Sequence, residues 1–158
     1  MALLKFVFAM FLSFLPGILG IIVTPISTGG NSWYNTLNHS MLTPPGWVFS
    51  VTWSILYFLI GLALFLIMQT NIRGMYGKTN AYVFFVINLI LNTLWSFVFF
   101  GAEMPEVALL LLLALIVVAI FMAREFLRIN QASFWLTIPY VLWLFFAFYL
   151  NSMIIYLN

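Results

Sequence analysis

The sequence predicts an all-α integral membrane protein that folds as a bundle of five transmembrane helices. Of its 158 residues, 66% are hydrophobic and only 5% are charged, whereas a soluble domain carries about 25% charged residues. The apolar runs approach the roughly 20 residues that a helix needs to cross a bilayer, and they lack the strict alternation of barrel strands. Because lipid offers no hydrogen-bond partner to a free backbone group, these runs predict helices.

Five apolar runs cover most of the chain, approximately at residues 4–24, 47–68, 81–100, 107–123 and 134–156. They leave no room for a soluble domain, so we interpret residues 1–158 as a single membrane domain. The first run has Lys5 near its beginning, followed by uninterrupted apolar residues, and so has the basic start of a signal peptide. It is longer than the usual apolar core of about 7–15 residues, and no A-x-A-like cleavage site follows. We therefore predict a retained helix.

The connections after the second, third and fourth helices are short, which predicts antiparallel neighbours. The first connection, residues 25–46, is long, and loops of that length are usually functional or disordered. Disorder is typical of segments with many charges and few aromatics. This segment instead offers apolar side chains for burial, namely Trp33, Tyr34, Leu37, Met41 and Leu42. We call it the lid and predict that it is ordered, with a flexible part at 27–32 and a chain direction fixed by Pro44 and Pro45.

Charge is distributed unequally between the two ends of the predicted bundle. The side of the N-terminus carries Lys5, Arg73, Lys78, Arg124 and Arg128. The opposite side carries Glu103 and Glu106. The positive-inside rule then places the N-terminus in the cytoplasm and the C-terminus and lid outside.

Two helices carry faces of small residues. On the first helix the face contains Ser13, Pro16, Gly17, Gly20 and Thr24, a stripe that predicts close approach of a neighbouring helix. The fourth helix is almost uniformly aliphatic and has Ala108, Ala119 and Ala123 on one face. We predict that this aliphatic helix meets lipid or a second copy of the chain.

The other three helices each place polar groups beside a tryptophan on one face. The faces are Trp47, Ser50, Ser54, Tyr57 and Gly61 with Trp53 at the margin, then Asn88, Asn92, Trp95 and Phe99, then Tyr140, Trp143, Ala147 and Asn151. Singly, such residues serve as interhelical hydrogen bonds or interfacial anchors. Together they predict an apolar pocket with a few polar groups, which is typical of a small-molecule site. The lid is predicted to cover this pocket.

The predicted ligand-binding residues are Trp53, Tyr57, Asn88, Asn92, Trp95, Tyr140, Trp143, Ala147 and Asn151. The predicted lid residues are Trp33, Tyr34, His39, Leu42, Pro44 and Pro45.

Several kinds of chemistry are missing from the sequence. Beyond Lys5, the predicted spans contain no Asp, Glu, Lys, Arg or His, which argues against proton relays and acid–base catalysis. There is no cysteine, and neither a phosphate-binding loop nor a nucleic-acid-binding patch is present. We predict no metal site and no required cofactor. The single histidine, His39, is either an axial ligand for a haem iron or a solvated or capping residue of the lid.

Four stretches of the sequence, in this order and spacing, resemble the translocator protein family, also called TspO/MBR or tryptophan-rich sensory proteins. They are WYNTL, TPPGWVFSVTWSILY, NLILNTLWSFVFF and IPYVLWLFFAFYLN, and the likeness covers residues 33–151. The resemblance implies a five-helix bundle, commonly a homodimer, with a pocket under the first loop for porphyrins, haem and, in some members, sterols. By position it implies pocket roles for Trp53, Asn92 and Trp143, loop roles for Trp33 and Tyr34, and supporting roles for Asn88, Trp95, Tyr140 and Asn151.

The sequence departs from the family pattern in two places. The family usually has Lys-Pro and then Trp before the double proline, where this chain has His39, Ser40 and Leu42. The sterol-associated pattern needs a basic residue after a tyrosine, and none follows Tyr149 or Tyr156. We therefore do not predict sterol binding.

With what the resemblance implies, the functional hypothesis is a sensor or transporter in a bacterial cell membrane for porphyrins, haem or similar apolar molecules. Its expected partners are that small molecule, the lipid bilayer and a second copy of the chain, with no nucleic acid. One alternative is light-dependent oxidative porphyrin degradation, with Trp53 and Trp143 as the redox residues. The other is a regulatory membrane subunit without a ligand.

Overall fold

The computed structural model describes residues 1–23, 33–71 and 77–158, and these residues confirm the all-α membrane bundle. The helices are α1 (Ala2–Gly20), α2 (Trp33–Thr36), α3 (Gly46–Gln69), α4 (Thr79–Ser96), α5 (Pro105–Ile129) and α6 (Gln131–Leu157), and a π-helical turn, Phe97–Gly101, continues α4. All but α2 are long and apolar enough to cross a membrane. The flexible part predicted for the lid lies outside the described residues, as do Thr24 and Arg73.

The five long helices form a closed ring. Around it, α1 packs against α3, α3 against α6, α6 against α5, α5 against α4, and α4 against α1. The predicted antiparallel pairs α4–α5 and α5–α6 are confirmed. The predicted pairing of α3 with α4 is wrong, because α1 lies between them. Nine residues connect these two helices, and an extended segment of that length spans about 30 Å, enough to pass a helix about 10 Å wide.

The small-residue face of α1 explains why this helix lies between α3 and α4. Ser13 and Gly20 are buried. A methyl group added to Gly61 of α3 would lie 2.6 Å from Ser13 Oγ, and one added to Gly17 would lie 2.7 Å from Cε2 of Tyr57. Both approaches are too close for a larger residue, so the predicted close contact at this face is confirmed.

The junction between α5 and α6 is much tighter than hydropathy predicts. The predicted gap at residues 124–133 shrinks to Asn130 alone. Charged residues continue α5, where Arg128 Nη1 lies 3.1 Å from Glu125 Oε1 one turn earlier. Asn130 Oδ1 then accepts a hydrogen bond from the Ser133 amide, which caps the start of α6. The charged stretch at the water interface therefore belongs to α5, whereas hydropathy predicted that this helix would end before it.

The alanine face of α5 points into the bundle, and the helix exposes a different, bulkier face. Ala108, Ala119 and Ala123 are all buried, and α5 packs on α4 and α6. Large aliphatic side chains, such as Leu110 and Leu113, are exposed instead. Small residues allow backbones to approach closely, whereas bulky apolar side chains lose nothing by facing lipid.

The start of α3 also differs from the prediction. Trp47, Ser50 and Ser54 were expected to face inward, but all three are exposed. Ser54 Oγ donates to the Ser50 carbonyl in its own helix, so the hydroxyl needs no partner from another helix. The inward face of α3 starts later in the helix, at Leu56 and Tyr57, which are buried.

Substituting Gly17 with leucine should destabilise the bundle by roughly 1–3 kcal/mol, because overpacking forces neighbouring groups to move. The displaced group would be the Tyr57 ring, 2.7 Å from the new Cβ. The measurement is thermal unfolding of the purified protein in detergent. Ile18→Phe adds bulk at the adjacent exposed position and serves as the control. Equal stability of the two variants would contradict the close packing.

Candidate functional site

A chain of buried hydrogen bonds joins three helices in the middle of the bundle. The Tyr57 hydroxyl donates to Asn92 Oδ1 over 3.0 Å. Asn92 Nδ2 donates to the Tyr140 hydroxyl over 3.2 Å, and that hydroxyl donates to Asn88 Oδ1 over 3.0 Å. All four side chains are buried. The chain therefore links α3, α4 and α6 in a region where water cannot replace a missing partner.

Trp53 extends this polar chain with an aromatic surface. Its ring stacks on Tyr57 with centroids 5.4 Å apart, and its centroid lies 6.3 Å from that of Tyr140 in an edge arrangement. Ala147 belongs to the same buried core. Many of the predicted ligand-binding residues are thus brought together in one cluster, which we call the polar cluster: Trp53, Tyr57, Asn88, Asn92 and Tyr140.

A second cluster lies at the end of α4. Trp95 Nε1 donates to Asn151 Oδ1 over 3.4 Å, and Asn151 Nδ2 donates to the Pro105 carbonyl over 2.8 Å. Trp95 also stacks on Phe99, with ring centroids 5.3 Å apart, and Phe100 lies 4.8 Å from Phe99. Both phenylalanines lie in the π-helical turn, in which hydrogen bonds join residues five apart, whereas they join residues four apart in an α-helix.

The described part of the lid packs on this aromatic end of α4. The Trp33 ring lies 5.8 Å from Phe99. Tyr34 lies 6.1 Å from Phe99 and 5.7 Å from Phe100. Burial raises the pKa of the Tyr34 hydroxyl above its ordinary value of 10.0, so the side chain is neutral at physiological pH. The predicted lid aromatics thus adjoin Trp95, whereas Trp53 belongs to the polar cluster.

The outer part of the lid does not bury its apolar side chains as predicted. Met41 is fully exposed and Leu42 is 64% exposed. Both lie in a turn closed by the Thr43 amide, which donates to the Ser40 carbonyl over 2.9 Å. The turn directs these two side chains outward. Of the prolines that follow, Pro44 is half-buried and Pro45 exposed.

Hydrogen bonds attach the lid to the last helix. The Asn38 amide donates to Asn158 Oδ1 over 2.9 Å, and Asn158 Nδ2 donates to the Asn38 carbonyl over 3.2 Å. Nearby, the hydroxyls of Ser40 and Tyr149 lie 3.0 Å apart. The sequence analysis missed these contacts, since nothing in the lid indicates a partner more than a hundred residues away.

His39 supports the lid from within. Its Nε2 lies 2.9 Å from the Tyr34 carbonyl oxygen, and its ring centroid lies 4.6 Å from that of Tyr34. Because a carbonyl can only accept, Nε2 is the donor in this contact, and in the corresponding neutral tautomer Nδ1 is the nitrogen with the lone pair. The contact lets His39 hold the lid together and leaves Nδ1 as the ring nitrogen without a partner.

Trp143 lies apart from the polar cluster. Its ring centroid is 6.0 Å from that of Phe49 and 5.4 Å from that of Phe146. It lines a groove of about 490 Å³ between α3 and α6. Phe49 and Phe146 were missed by the sequence analysis. Phe146 follows Trp143 at helical spacing, so the face containing Trp143 already carried that signal.

Three buried side-chain polar atoms of the described residues have no hydrogen-bond partner: His39 Nδ1, Asn88 Nδ2 and Trp143 Nε1. Each belongs to a residue that the sequence assigned to the ligand site or to the lid. A buried polar group without a partner costs about 1–3 kcal/mol, and an added partner such as a water molecule or a ligand would remove that cost. Within the same residues, no group of three or more His, Asp or Glu side chains is placed to hold a metal ion.

The sequence model of the TspO/MBR family matches residues 9–157. The chain belongs to the TspO/MBR family. A tryptophan-rich protein TspO of Archaeoglobus fulgidus is 35% identical over 127 residues, which are 80% of each chain. A tryptophan-rich sensory protein of Cereibacter sphaeroides is 34% identical over 143 residues, 85% of this chain and 82% of the relative. A translocator protein homolog of Schizosaccharomyces pombe is 30% identical over 144 residues, 82% of this chain and 84% of the relative.

Membership of the TspO/MBR family and the five apolar helices agree on an integral, multi-pass membrane protein.

Replacing Tyr140 with phenylalanine should lower the free energy of unfolding by about 1–3 kcal/mol, since the change leaves buried partners without a bond. The lost hydroxyl accepts from Asn92 and donates to Asn88. Unfolding in detergent, compared with the wild type, measures the effect. The matched control is Tyr156→Phe, which removes the same hydroxyl at an exposed position of α6. Similar losses in both variants would argue against the hydrogen-bonded chain.

Proposed function

We propose that this TspO/MBR protein binds a porphyrin, haem or a similar flat apolar molecule and acts as its sensor or transporter. The observation that carries the proposal is the coincidence of the three unpartnered polar atoms with residues predicted for the ligand and the lid. A ligand that completes any one of those bonds would recover free energy that the unliganded protein lacks.

The chemistry of these atoms suits a tetrapyrrole with carboxylate side chains. Asn88 Nδ2 and Trp143 Nε1 are donors, and a carboxylate or carbonyl oxygen is the acceptor that each requires. The flat ring system of such a ligand can stack on indole, which Trp53, Trp95 and Trp143 supply. Apolar surroundings with a few polar groups are typical of small-molecule sites.

Haem fits the lid at one position. Metal-binding histidines usually donate one ring N–H to a carbonyl or carboxylate, which leaves the other nitrogen for the metal. His39 has this arrangement, since Nε2 donates to the Tyr34 carbonyl and Nδ1 has no partner. His39 is therefore the residue that would hold a haem iron, which supplies an axial coordination position. Because Nδ1 is shielded in the closed lid, haem binding requires the lid to move.

The names of two relatives refer to sensing and to translocation. The relative from Cereibacter sphaeroides is called a sensory protein, and the one from Schizosaccharomyces pombe a translocator protein homolog. In this proposal the protein works as a homodimer. Its N-terminus is cytoplasmic, because Lys5, Lys78 and Arg128 lie at the end where α1 and α4 begin and α5 ends.

Titration with metal-free protoporphyrin IX in the dark should quench tryptophan fluorescence saturably. Trp143→Phe should weaken binding about tenfold, which corresponds to about 1.4 kcal/mol, because the donor is lost while most of the ring surface remains. Trp53→Phe should also weaken binding. Trp135→Phe, an exposed position at the start of α6, is the control and should bind like the wild type.

Illumination of the bound porphyrin then separates binding from degradation. Recovery of intact porphyrin supports a sensor or transporter, and loss of porphyrin that depends on Trp53 and Trp143 supports the enzyme alternative. Absence of saturable binding in the wild type would refute the proposal and favour a regulatory subunit without a ligand.

His39→Ala should reduce haem affinity by about tenfold and shift the Soret band of bound haem. The affinity for metal-free protoporphyrin IX should not change, since that ligand has no iron to coordinate. Absorbance titration with both ligands checks this. An equal loss for the two ligands would show that His39 acts only by shaping the lid.

A further inference from the structure

The outer part of the lid presents an uncharged apolar surface. Met41 is fully exposed and Leu42 is 64% exposed, and both belong to a hydrogen-bonded turn at residues 40–43, which we call the lid turn. Residues 33–49 contain no Asp, Glu, Lys or Arg. Exposed apolar side chains that lie together mark a surface for another molecule or for a membrane.

The contact between the lid turn and α6 indicates how deep the turn lies. The Ser40 hydroxyl lies 3.0 Å from that of Tyr149, and α6 continues beyond Tyr149 to Leu157, about 12 Å further along its axis. At the other end of α6, the exposed Trp135 marks the opposite water interface, where tryptophan is enriched. Fourteen residues, or about 21 Å, separate Trp135 from Tyr149, which is less than the roughly 30 Å of a hydrocarbon core. The lid turn therefore reaches the level of the lipid acyl chains.

The lid turn also lies on the lipid-facing side of the bundle. On α6, Tyr149 shares an exposed face with Leu142 and Phe145. On α3, which begins shortly after the lid turn, Trp47 and Val51 form another exposed face. An exposed face of a membrane-spanning helix meets lipid. The apolar side chains of the lid turn thus continue a surface that is already in contact with acyl chains.

The same turn attaches the lid to the bundle. The Ser40 hydroxyl accepts a hydrogen bond from the Leu42 amide over 3.2 Å and also contacts Tyr149. The apolar side chains and the contact with α6 therefore belong to one small unit. Lifting the lid from α6 would move Met41 and Leu42 together with Ser40.

We propose that the lid turn inserts into the adjacent lipid leaflet, with Met41 and Leu42 among the acyl chains, and that this insertion holds the lid closed. The partner is lipid, because the turn is uncharged, lies within the depth of the hydrocarbon core and adjoins lipid-facing helix surfaces. Opening the lid would draw both side chains into water, which is unfavourable for apolar groups. The inference needs no bound ligand, so it is independent of the proposed function.

The first test measures the depth of the lid turn in the full-length protein in lipid nanodiscs. Because the chain contains no cysteine, Met41→Cys provides one position for a fluorescent label. Thr36→Cys is the control, since Thr36 is an exposed polar residue of the same lid. A nitroxide carried on the lipid acyl chains should quench the label at position 41 several-fold more than the label at position 36. Iodide in the water should show the reverse order.

Three results would overturn the insertion. Quenching at position 41 by iodide and not by the lipid nitroxide would place the turn in water. Protection from both quenchers would mean that protein, such as a second copy of the chain, covers the turn. Equal lipid quenching at positions 41 and 36 would mean that the turn lies no deeper than the rest of the lid. Leu42→Cys provides a second label position if Met41→Cys does not fold.

The effect on the lid is tested by hydrogen–deuterium exchange of residues 33–39 in nanodiscs. Leu42→Ser should make their exchange several-fold faster, because it removes apolar contact between the lid turn and lipid. Leu110→Ser makes the same chemical change on α5, at a side chain that is 69% exposed, and should leave the lid unchanged. Wild-type exchange in Leu42→Ser would show that lipid contact does not hold the lid closed.

Discussion

The hydrogen-bonded chain from Tyr57 through Asn92 and Tyr140 to Asn88 is the constraint on which the bundle depends. In hydrocarbon these polar groups have no water to bind, so each must find a partner in another helix. The chain joins α3 and α4, whose backbones are separated by α1, and it aligns both with α6. Apolar packing alone would not determine how the three helices are aligned. An apolar side chain is in apolar surroundings whether it faces lipid or the core.

Many of the aromatic residues belong to one of two groups, around Trp95 and around Trp143. Around Trp95, the rings of Phe99 and Phe100 form the surface on which the lid rests. Around Trp143, the rings of Phe49 and Phe146 border a groove that faces lipid. Because Asn38 and Ser40 tie the lid to α6, which also carries Trp143 and Tyr149, one helix is in contact with both regions.

The fold was largely predictable because a lipid environment restricts which residue types a membrane-crossing segment can contain. Apolar runs long enough to span a bilayer, and the amides of Asn88 and Asn92 that must face inward, follow directly from the absence of water in the membrane core. The same reasoning failed where apolar character does not distinguish inside from outside. It assigned Trp47 to the interior, whereas the structure exposes this side chain.

The sequence by itself determined that this protein crosses the membrane as five helices, and which residue types its interior and lid would contain. It also determined which short motifs relate it to the TspO/MBR family. Only the tertiary structure decided that α1 separates α3 from α4, that the lid is bonded to Asn158 and Tyr149, and that Trp143 borders a groove rather than the polar cluster. The physical reason is that helical periodicity specifies a face within one helix, whereas the neighbour of that face is chosen by packing between segments far apart in the chain.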